Sequence, residues 1–469
     1  MRNHSMYPPE FIKRIESQGY IDAERLVRAL GEPSPVSIRV NPAKWNRTPV
    51  NALPVEWCKT GYYTELRPAF TPDPLYHAGC YYPQEASGMF IEEVFRQVAD
   101  KGTYLRVLDL CAAPGGKATH LASLIGSGGF LVANEAIKAR SSVLSENISR
   151  WGGTNTLVTQ NDPSDFAGMS GFFDIILVDA PCSGEGMFRE RVAVKEWSAE
   201  NAVLCSGRQK RILMDVWPAL KENGVLIYST CTFNPAENEE NARWLISNGD
   251  AESVMLDISD FHNIIRIDHQ GIAGYGFYPD KVMGEGLFIS VIRKKGKVEV
   301  QKKRERVRHT LRSVKEDLKA LRDWTDLSDE SFIRIGDEVL SIACGLEDFQ
   351  YLGQYLRIVR MGTTVCRVKN RGYLPVHDLA VSQGARADVF GTAELDFSQA
   401  TAYLRRDGLR LPGLRKGWLI VTYKGVNLGF INNIGHRINN YFPVNRRIRM
   451  NIPENAIESI IKWNEKETT

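Results

Sequence analysis

Hydrophobic and polar positions change their period along this 469-residue chain, and the changes mark out its parts. Two short amphipathic stretches, 11–17 and Ala23–Leu30, precede a strand-like run, Val36–Val40, and a Pro- and Tyr-rich segment that ends at Tyr81-Tyr82-Pro83. They predict a small mixed α/β domain over 1–95. From Tyr104 onward, apolar strand-like runs (105–110, 130–134, 156–159, 174–178, 224–228) alternate with helical ones. Ala118, Leu121, Ala122 and Ile125 share one helix face, and Ile137, Leu144 and Ile148 form a second stripe, stopped by Gly152-Gly153. Such alternation predicts βαβ units, and so an α/β domain with a doubly wound, mostly parallel sheet over 96–293, closed by a last strand at 286–292.

Beyond it, 294–325 is a charged stretch expected to form a helical connector. Short strand-like runs at 355–359, 364–368, Gly417–Tyr423 and 427–431 predict a small intermediate domain over 326–390 and a β-rich module over 391–469. No repeat or low-complexity tract interrupts the chain.

Composition adds little to this picture until it is resolved by position. With 43% hydrophobic and 25% charged residues and a net charge of +3, the chain is an ordinary globular one, neither a miniprotein nor a polyelectrolyte tail. The +3 is an average, however. Residues 293–322 carry thirteen positive and four negative side chains, and 401–450 carry ten positive against one negative. The remainder is therefore net acidic, and the two basic segments suit a phosphate backbone, with Tyr403, Trp418, Tyr423 and Tyr441 interleaved for stacking on bases. RNA is the partner this distribution favours. The start lacks the apolar core of a signal peptide, no run is long enough to span a bilayer, and the eight cysteines include no Cys-x-x-Cys pair and no Cys/His set at zinc spacing. A cytoplasmic, monomeric protein with reduced thiols, no membrane segment and no metal is expected. His77, His120, His309 and His436 have no partners at ligand spacing, and Glu237 and Glu239 read as acids at a helix start.

The densest chemical signal is Val107-Leu-Asp-Leu-Cys-Ala-Ala-Pro-Gly-Gly-Lys117, a strand entering a Gly-Gly turn and then a helix. A P-loop needs glycine where Cys111 stands and Ser or Thr where Ala118 stands, and the dinucleotide motif needs spaced glycines where Gly115 and Gly116 are adjacent. Both phosphate motifs fail. S-adenosylmethionine carries a sulfonium, an amino-acid head and a ribose instead of a phosphate, so it asks for close backbone approach and carboxylates. Asp109, Glu135, Asp162 and Asp179 all fall at strand ends, where an open parallel sheet borders its ligand.

Two further strand ends carry cysteines: Cys182 in Asp179-Ala-Pro-Cys-Ser-Gly-Glu-Gly186, and Cys231 in Ser229-Thr-Cys-Thr-Phe-Asn-Pro-Ala-Glu237. Asn234 as N-cap and Pro235 at the first helical position predict a helix directly after Cys231. A methyltransferase of exocyclic amines would carry Asp/Asn-Pro-Pro-Tyr/Phe where Asp-Ala-Pro-Cys stands. Carbon 5 of a pyrimidine is a poor nucleophile until a thiolate adds at carbon 6, and a second cysteine can then assist release. Asp179 is placed to hold the N3 and amino side of the ring.

At these residues the chain resembles the Sun/Nop family of RNA cytosine-C5 methyltransferases. The shared segments are Ser37-Ile-Arg-Val-Asn41, Tyr81-Tyr-Pro-Gln-Glu85, Cys111 to Lys117, Asp179 to Gly186 and 229–239. The resemblance implies a class I, Rossmann-like methyltransferase fold with Cys231 as nucleophile and Cys182 as the releasing cysteine. It also implies S-adenosyl-L-methionine contacts from Cys111, Ala112, Ala113, Pro114, Gly115, Gly116, Lys117, Glu135, Asp162 and Asp179. Gly184-Glu-Gly-Met-Phe-Arg189 and the basic extension are similar to the F type that acts on bacterial 16S ribosomal RNA, which ends in a PUA-like RNA-binding module. Ribosomal RNA, or the small ribosomal subunit, is the implied partner. Action on transfer RNA, methylation of a protein or an exocyclic amine, and a non-catalytic RNA-binding assembly factor are the alternatives.

Overall fold

The computed structural model describes residues 6–100, 102–297, 312–313, 318–326, 332–342, 345–369 and 372–465. Two helices open it, α1 (Pro9–Glu16) and α2 (Ala23–Leu30), the second capped by the Asp22 carboxylate. Their apolar faces, Phe11 and Ile15 on one and Leu26, Val27 and Leu30 on the other, cluster with Phe188, Trp197 and Phe233 of the catalytic region. A four-stranded antiparallel sheet follows: β1 (Val36–Val40), β2 (Leu53–Val55), β3 (Cys58–Thr64) and β4 (Tyr81–Pro83), in the order β2-β3-β1-β4. Short α3 (Pro74–Ala78) precedes β4, and α4 (Ile91–Val98) leads into the next domain.

The expected parallel sheet is present. Strands β5 (Leu105–Asp109), β6 (Gly129–Asn134), β7 (Thr156–Thr159), β8 (Phe173–Asp179) and β9 (Leu220–Thr230) run parallel in the order β7-β6-β5-β8-β9. Helices α5 (Gly116–Ile125), α6 (Lys138–Trp151), α7 (Arg191–Glu196), α8 (Ala199–Val216) and α9 (Glu239–Gly249) connect or flank them. The strands read as near-continuous apolar runs because both faces are covered, with one core cluster on each face. Beyond β9, the sheet continues antiparallel through β13 (Leu287–Lys294), preceded in sequence by β10 (Ala251–Ser253), β11 (Ile265–His269) and β12 (Ile272–Phe277).

Three local expectations are corrected. The helix expected from Pro235 starts at Glu239, because residues 234–238 form a tight turn in which the Asn234 carbonyl accepts from the N–H groups of Glu237 and Asn238. Ile137 leaves the apolar stripe; it precedes α6 and is 55% exposed. The run at 355–359 is split, with Tyr355 ending a helix and the strand starting only at Ile358.

Of the basic connector, residues 298–311 and 314–317 lie outside the described residues. Next come β14 (Arg312–Ser313), α10 (Leu318–Trp324), β15 (Phe332–Ile335), β16 (Glu338–Ser341), α11 (Leu346–Tyr355) and β17 (Ile358–Met361). β17 does not stay in the C-terminal region: it pairs antiparallel with β7 and becomes the far edge of the catalytic sheet. After β18 (Thr363–Lys369), β19 (Gly372–Pro375), α12 (His377–Val381) and α13 (Ala387–Phe390), the C-terminal module holds β20 (Thr392–Glu394), α14 (Phe397–Arg405), β21 (Gly417–Tyr423), β22 (Val426–Asn433) and β23 (Ile438–Asn440). This module shares one apolar core with the N-terminal sheet, in which Ile38, Val40, Trp45 and Tyr81 pack with Leu419, Val421, Phe442 and Trp463. Tyr403 and Tyr423 belong to that core and are not available for stacking; Trp418 and Tyr441, with rings 4.4 Å apart, remain partly exposed. No helix among the described residues is long and apolar enough to cross a membrane.

A charge knot fastens the C-terminal half to the domain of the parallel sheet. The partly buried Asp378 carboxylate accepts from Arg360 at 2.6 Å and from the Ser149 hydroxyl of α6 at 2.5 Å, with Arg446 3.9 Å away. Burial opposes its charge, but the two guanidiniums outweigh that cost and hold the carboxyl well below the usual range. A group so depressed contributes stability above the unfolded carboxyl pKa near ~4 and loses it as pH falls further. Asp378→Asn leaves Arg360 and Arg446 facing each other uncompensated, and should cost about 3–5 kcal/mol in urea unfolding at neutral pH; an unchanged midpoint would contradict this reading of the knot.

Candidate active site

Five parallel strand ends build one edge. At the end of β5 the chain leaves Asp109 and passes through Cys111 to Pro114 into the glycine turn, where Gly115 has φ +117° and opens α5. Only glycine takes that backbone without strain. Each carbonyl of the turn is held: Ala113 O accepts from Arg140 at 2.9 Å, Pro114 O from Asn147 at 2.7 Å, and Gly116 O from Arg39 at 3.3 Å. Arg39, fully buried on β1, also donates to Gln84 and Thr119 and lies 4.4 Å from the Trp151 ring. The N-terminal sheet thus fixes the floor of the turn. That role of Arg39 is not visible in the sequence, since a charged residue in an alternating strand reads as solvent-facing.

Next to this turn, Lys117 Nζ donates to Asp179 Oδ2 at 2.8 Å, and the Ser229 hydroxyl donates to Asp179 Oδ1 at 2.7 Å. Burial works against the Lys117 charge, but Asp179, Cys231 and Asp109 outweigh it and hold the ammonium above its ordinary value. Asp109 lies beneath, 1% exposed, and neither of its carboxyl oxygens has a hydrogen-bond partner. Burial first, then the charge of Asp179, pushes its pKa up to about 8. At the end of β6, Glu135 is also buried; one oxygen accepts from Ile137 N–H at 2.9 Å, while the other accepts no hydrogen bond and faces Arg140 at 3.4 Å. Asp162 stands apart from this group. Its carboxylate is half-exposed, caps the turn at 163–166 through Ser164 and pairs with Arg211.

The two cysteines meet. Asp179 and Ser229 are register partners in β8 and β9, so Cys182 and Cys231 leave neighbouring strands together, and their Sγ atoms are 3.2 Å apart as free thiols. The Cys231 N–H also points at Cys182 Sγ, at 3.3 Å. The hydrogen bond to Cys231 and burial raise the Cys182 thiol well above its ordinary value. Cys111, by contrast, packs against the apolar core, and burial raises its thiol too. It contributes its place in the turn and no nucleophile.

Glu237 corrects the expectation of a helix-start acid. It is fully buried, one oxygen accepting from Ser183 N–H at 2.9 Å and Gln209 at 3.0 Å, the other from the Ser183 hydroxyl at 2.5 Å. It bolts the residue after Cys182 to the segment after Cys231. Glu185, also fully buried, accepts from Trp197 and Phe233 N–H and pairs with Arg14 of α1. Neither was legible in sequence, where an acid in a polar loop carries no sign of burial. Glu239 does begin a helix, but it is buried against Tyr20, and burial lifts it to about 7.

Comparison with known proteins places the chain among rRNA methyltransferases. The family model described as 16S rRNA methyltransferase RsmB/F matches residues 99–321; the N-terminal domain of 16S rRNA methyltransferase RsmF matches 7–86, and the methyltransferase RsmF PUA domain matches 390–448. Ribosomal RNA small subunit methyltransferase F from Aliivibrio fischeri (strain ATCC 700601 / ES114) is 31% identical, over 94% of this chain and 98% of its own length. The protein of the same name from Vibrio atlanticus (strain LGP32) is 31% identical over 93% and 96%. Among solved structures, a methyltransferase homolog protein from Pyrococcus horikoshii superposes with a TM-score of 0.50 at 28% identity, covering 61% of this chain and 99% of its own. NSun6 from Pyrococcus horikoshii, solved with SFG, shares the fold with a TM-score of 0.51 at 21% identity, over 62% and 99%.

The state of Asp109 has a measurable consequence. A carboxyl whose folded pKa is raised stabilises the fold at low pH and loses that contribution as pH rises through its folded value. Asp109→Asn removes this titration, so the variant should gain stability relative to the unsubstituted protein between about pH 4 and pH 8 in urea unfolding. Parallel pH profiles for the two proteins would refute the raised pKa.

Proposed function

The chain belongs to the 16S rRNA methyltransferase RsmB/F family, and from that premise we propose that it methylates carbon 5 of a cytidine in 16S ribosomal RNA, in the cytoplasm, with S-adenosyl-L-methionine as donor. The observation that carries this reading is the 3.2 Å thiol pair beside the Lys117–Asp179 ion pair. The cofactor fits the neighbouring strand ends: Asp109 and Glu135 offer buried oxygens without hydrogen bonds, suited to an ammonium and a ribose hydroxyl. Residues 111–117 offer a held, close-approach backbone. When bound, S-adenosyl-L-methionine supplies an electrophilic methyl group on its sulfonium.

Cys231, its proton passed to solvent and its sulfur near the Lys117 ammonium, adds to carbon 6 of the base; the S–C6 bond forms and the C5–C6 π pair moves onto carbon 5, which would spend it on the bond to the methyl group. Each Asp179 oxygen, engaged once by Lys117 or Ser229, keeps a lone pair that can accept from the 4-amino group of the ring. Once Cys231 is bonded to carbon its sulfur is a thioether, a far weaker acceptor for the Cys182 thiol beside it. Cys182 can then release its proton to solvent and accept the proton of carbon 5. The C–H electrons restore the C5–C6 double bond, and the C6–S pair returns to Cys231. Glu237 keeps the two cysteine loops at this spacing.

Residues 391–469 and the N-terminal domain are assigned to holding the RNA. Among the ten positive side chains of 401–450, Arg410, Lys416, Lys424, Arg437, Arg447 and Arg449 are exposed, whereas Arg446 is spent on Asp378 and Ser149.

Labelled S-adenosyl-L-methionine with small-subunit RNA, followed by digestion to nucleosides, should yield 5-methylcytidine; label in an exocyclic amine or in protein would overturn the reading. Cys231→Ala should abolish transfer, whereas Cys182→Ala should accumulate protein covalently joined to RNA. Normal turnover by the Cys182 variant without a crosslinked species contradicts the two-cysteine mechanism. Because the C-terminal module shares its core with the N-terminal sheet, deleting it would unfold both, so the RNA surface is better tested by charge. Lys416→Glu with Arg437→Glu should weaken RNA binding and reduce its salt slope by about 1 per lost phosphate contact; an unchanged slope rules out this face.

A further inference from the structure

Outside the thiol site, one cluster among the described residues gathers a cysteine, a histidine and an acid. Cys58 stands at the start of β3, Glu92 in the first turn of α4 and His120 in the second turn of α5. His120 Nε2 is 3.0 Å from Glu92 Oε2 and 3.8 Å from Cys58 Sγ, and the three groups offer ligand atoms all within 4.8 Å of one another. Cys58 and His120 are buried, at 3% and 1% exposed. From these positions we propose that Cys58, Glu92 and His120 bind one divalent transition-metal ion of the zinc class, which staples the N-terminal sheet to α4 and α5.

The geometry suits such an ion. Around tetrahedral zinc, with Zn–S near 2.3 Å and Zn–N or Zn–O near 2.0–2.1 Å, neighbouring ligand atoms stand roughly 3.3–3.6 Å apart. The His120–Glu92 and His120–Cys58 separations, 3.0 and 3.8 Å, bracket that range, so bringing these two pairs into it takes shifts of a few tenths of an ångström. Thr60 Oγ1, 3.8 Å from Cys58 Sγ, is a fourth, weaker oxygen beside the site. One soft sulfur and one imidazole select zinc over magnesium or calcium, which ask for oxygen alone.

The charges also ask for a cation. The Glu92 carboxylate is largely shielded from solvent, yet it is met only by His120, the Cys58 thiol and the Lys59 N–H, and no Lys or Arg side chain among the described residues forms an ion pair with it. The nearby buried cation, Arg39, gives its hydrogen bonds to Gln84, Thr119 and Gly116. Metal binding breaks the Cys58 S–H bond, forms a sulfur–metal bond from the sulfur lone pair and releases the proton to solvent, with no change of oxidation state. The sequence shows no zinc spacing because the ligands sit at 58, 92 and 120, on three elements that only the fold brings together.

The test uses the full chain, dialysed against Zn(II) and then against metal-free buffer, with metal content read by plasma mass spectrometry and Co(II) as a spectroscopic substitute. The proposal expects one Zn(II) per chain and a thiolate-to-cobalt charge-transfer band. Both should persist in Cys182→Ser/Cys231→Ser, which leaves this cluster untouched. In Cys58→Ser and in His120→Gln, metal content should fall about tenfold or more and the band should disappear from the first. Metal-free protein after dialysis, or a band that vanishes with Cys182 and Cys231 and survives Cys58→Ser, overturns the proposal.

Discussion

The register of β8 against β9 governs the chemistry of this molecule. With Asp179 opposite Ser229, the loops that follow carry Cys182 and Cys231 to 3.2 Å, and the Ser229 hydroxyl reaches back to Asp179. A slip of one residue would displace one thiol by about 3.3 Å along the strand and turn its neighbours to the other face. The register is protected because both strands are buried on both faces, so any slip would cost the two core clusters packed against them. Glu237 adds a second lock beyond the strand ends, binding Ser183 through its N–H and its hydroxyl.

Much of this arrangement is legible in the residues. Continuous apolar runs separated by helical stripes identify the parallel strands, and strand ends in such a sheet converge, so the sequence alone places Asp109, Glu135, Asp179, Cys182 and Cys231 on one edge. Local propensity said less where tertiary contacts decide. Asn234-Pro235 looks like a helix start, but a turn there is what lets Glu237 point inward to Ser183. Ile137 has the spacing of a core residue and stands exposed beside Glu135. Tyr403 and Tyr423 look like stacking residues among arginines and are core. Arg39, Glu185 and Glu237 are charged residues whose burial depends on partners remote in sequence, and nothing local announces it.

The outer parts of the chain depend on the centre and on each other. The N-terminal helices close over the two loops carrying Phe188 and Phe233, the N-terminal sheet supplies Arg39 to the glycine turn, and that same sheet shares its core with the C-terminal module. β17, which follows the basic connector, completes the catalytic sheet. The segments that hold RNA in the proposed function are therefore rigidly referenced to the thiols, through apolar packing and through the Asp378 knot on α6. Positioning a single base against Cys231 is a geometric problem, and such shared cores are a physical means of solving it.

The account rests on which sulfur attacks the base. RNA carrying 5-fluorocytidine traps the adduct, because fluorine on carbon 5 cannot leave as the proton does, and digestion followed by mass spectrometry identifies the modified cysteine. The account predicts the nucleotide on Cys231, with Cys182 unmodified. A nucleotide on Cys182, or no covalent species at all with a substrate RNA that the protein methylates in its ordinary form, would contradict it.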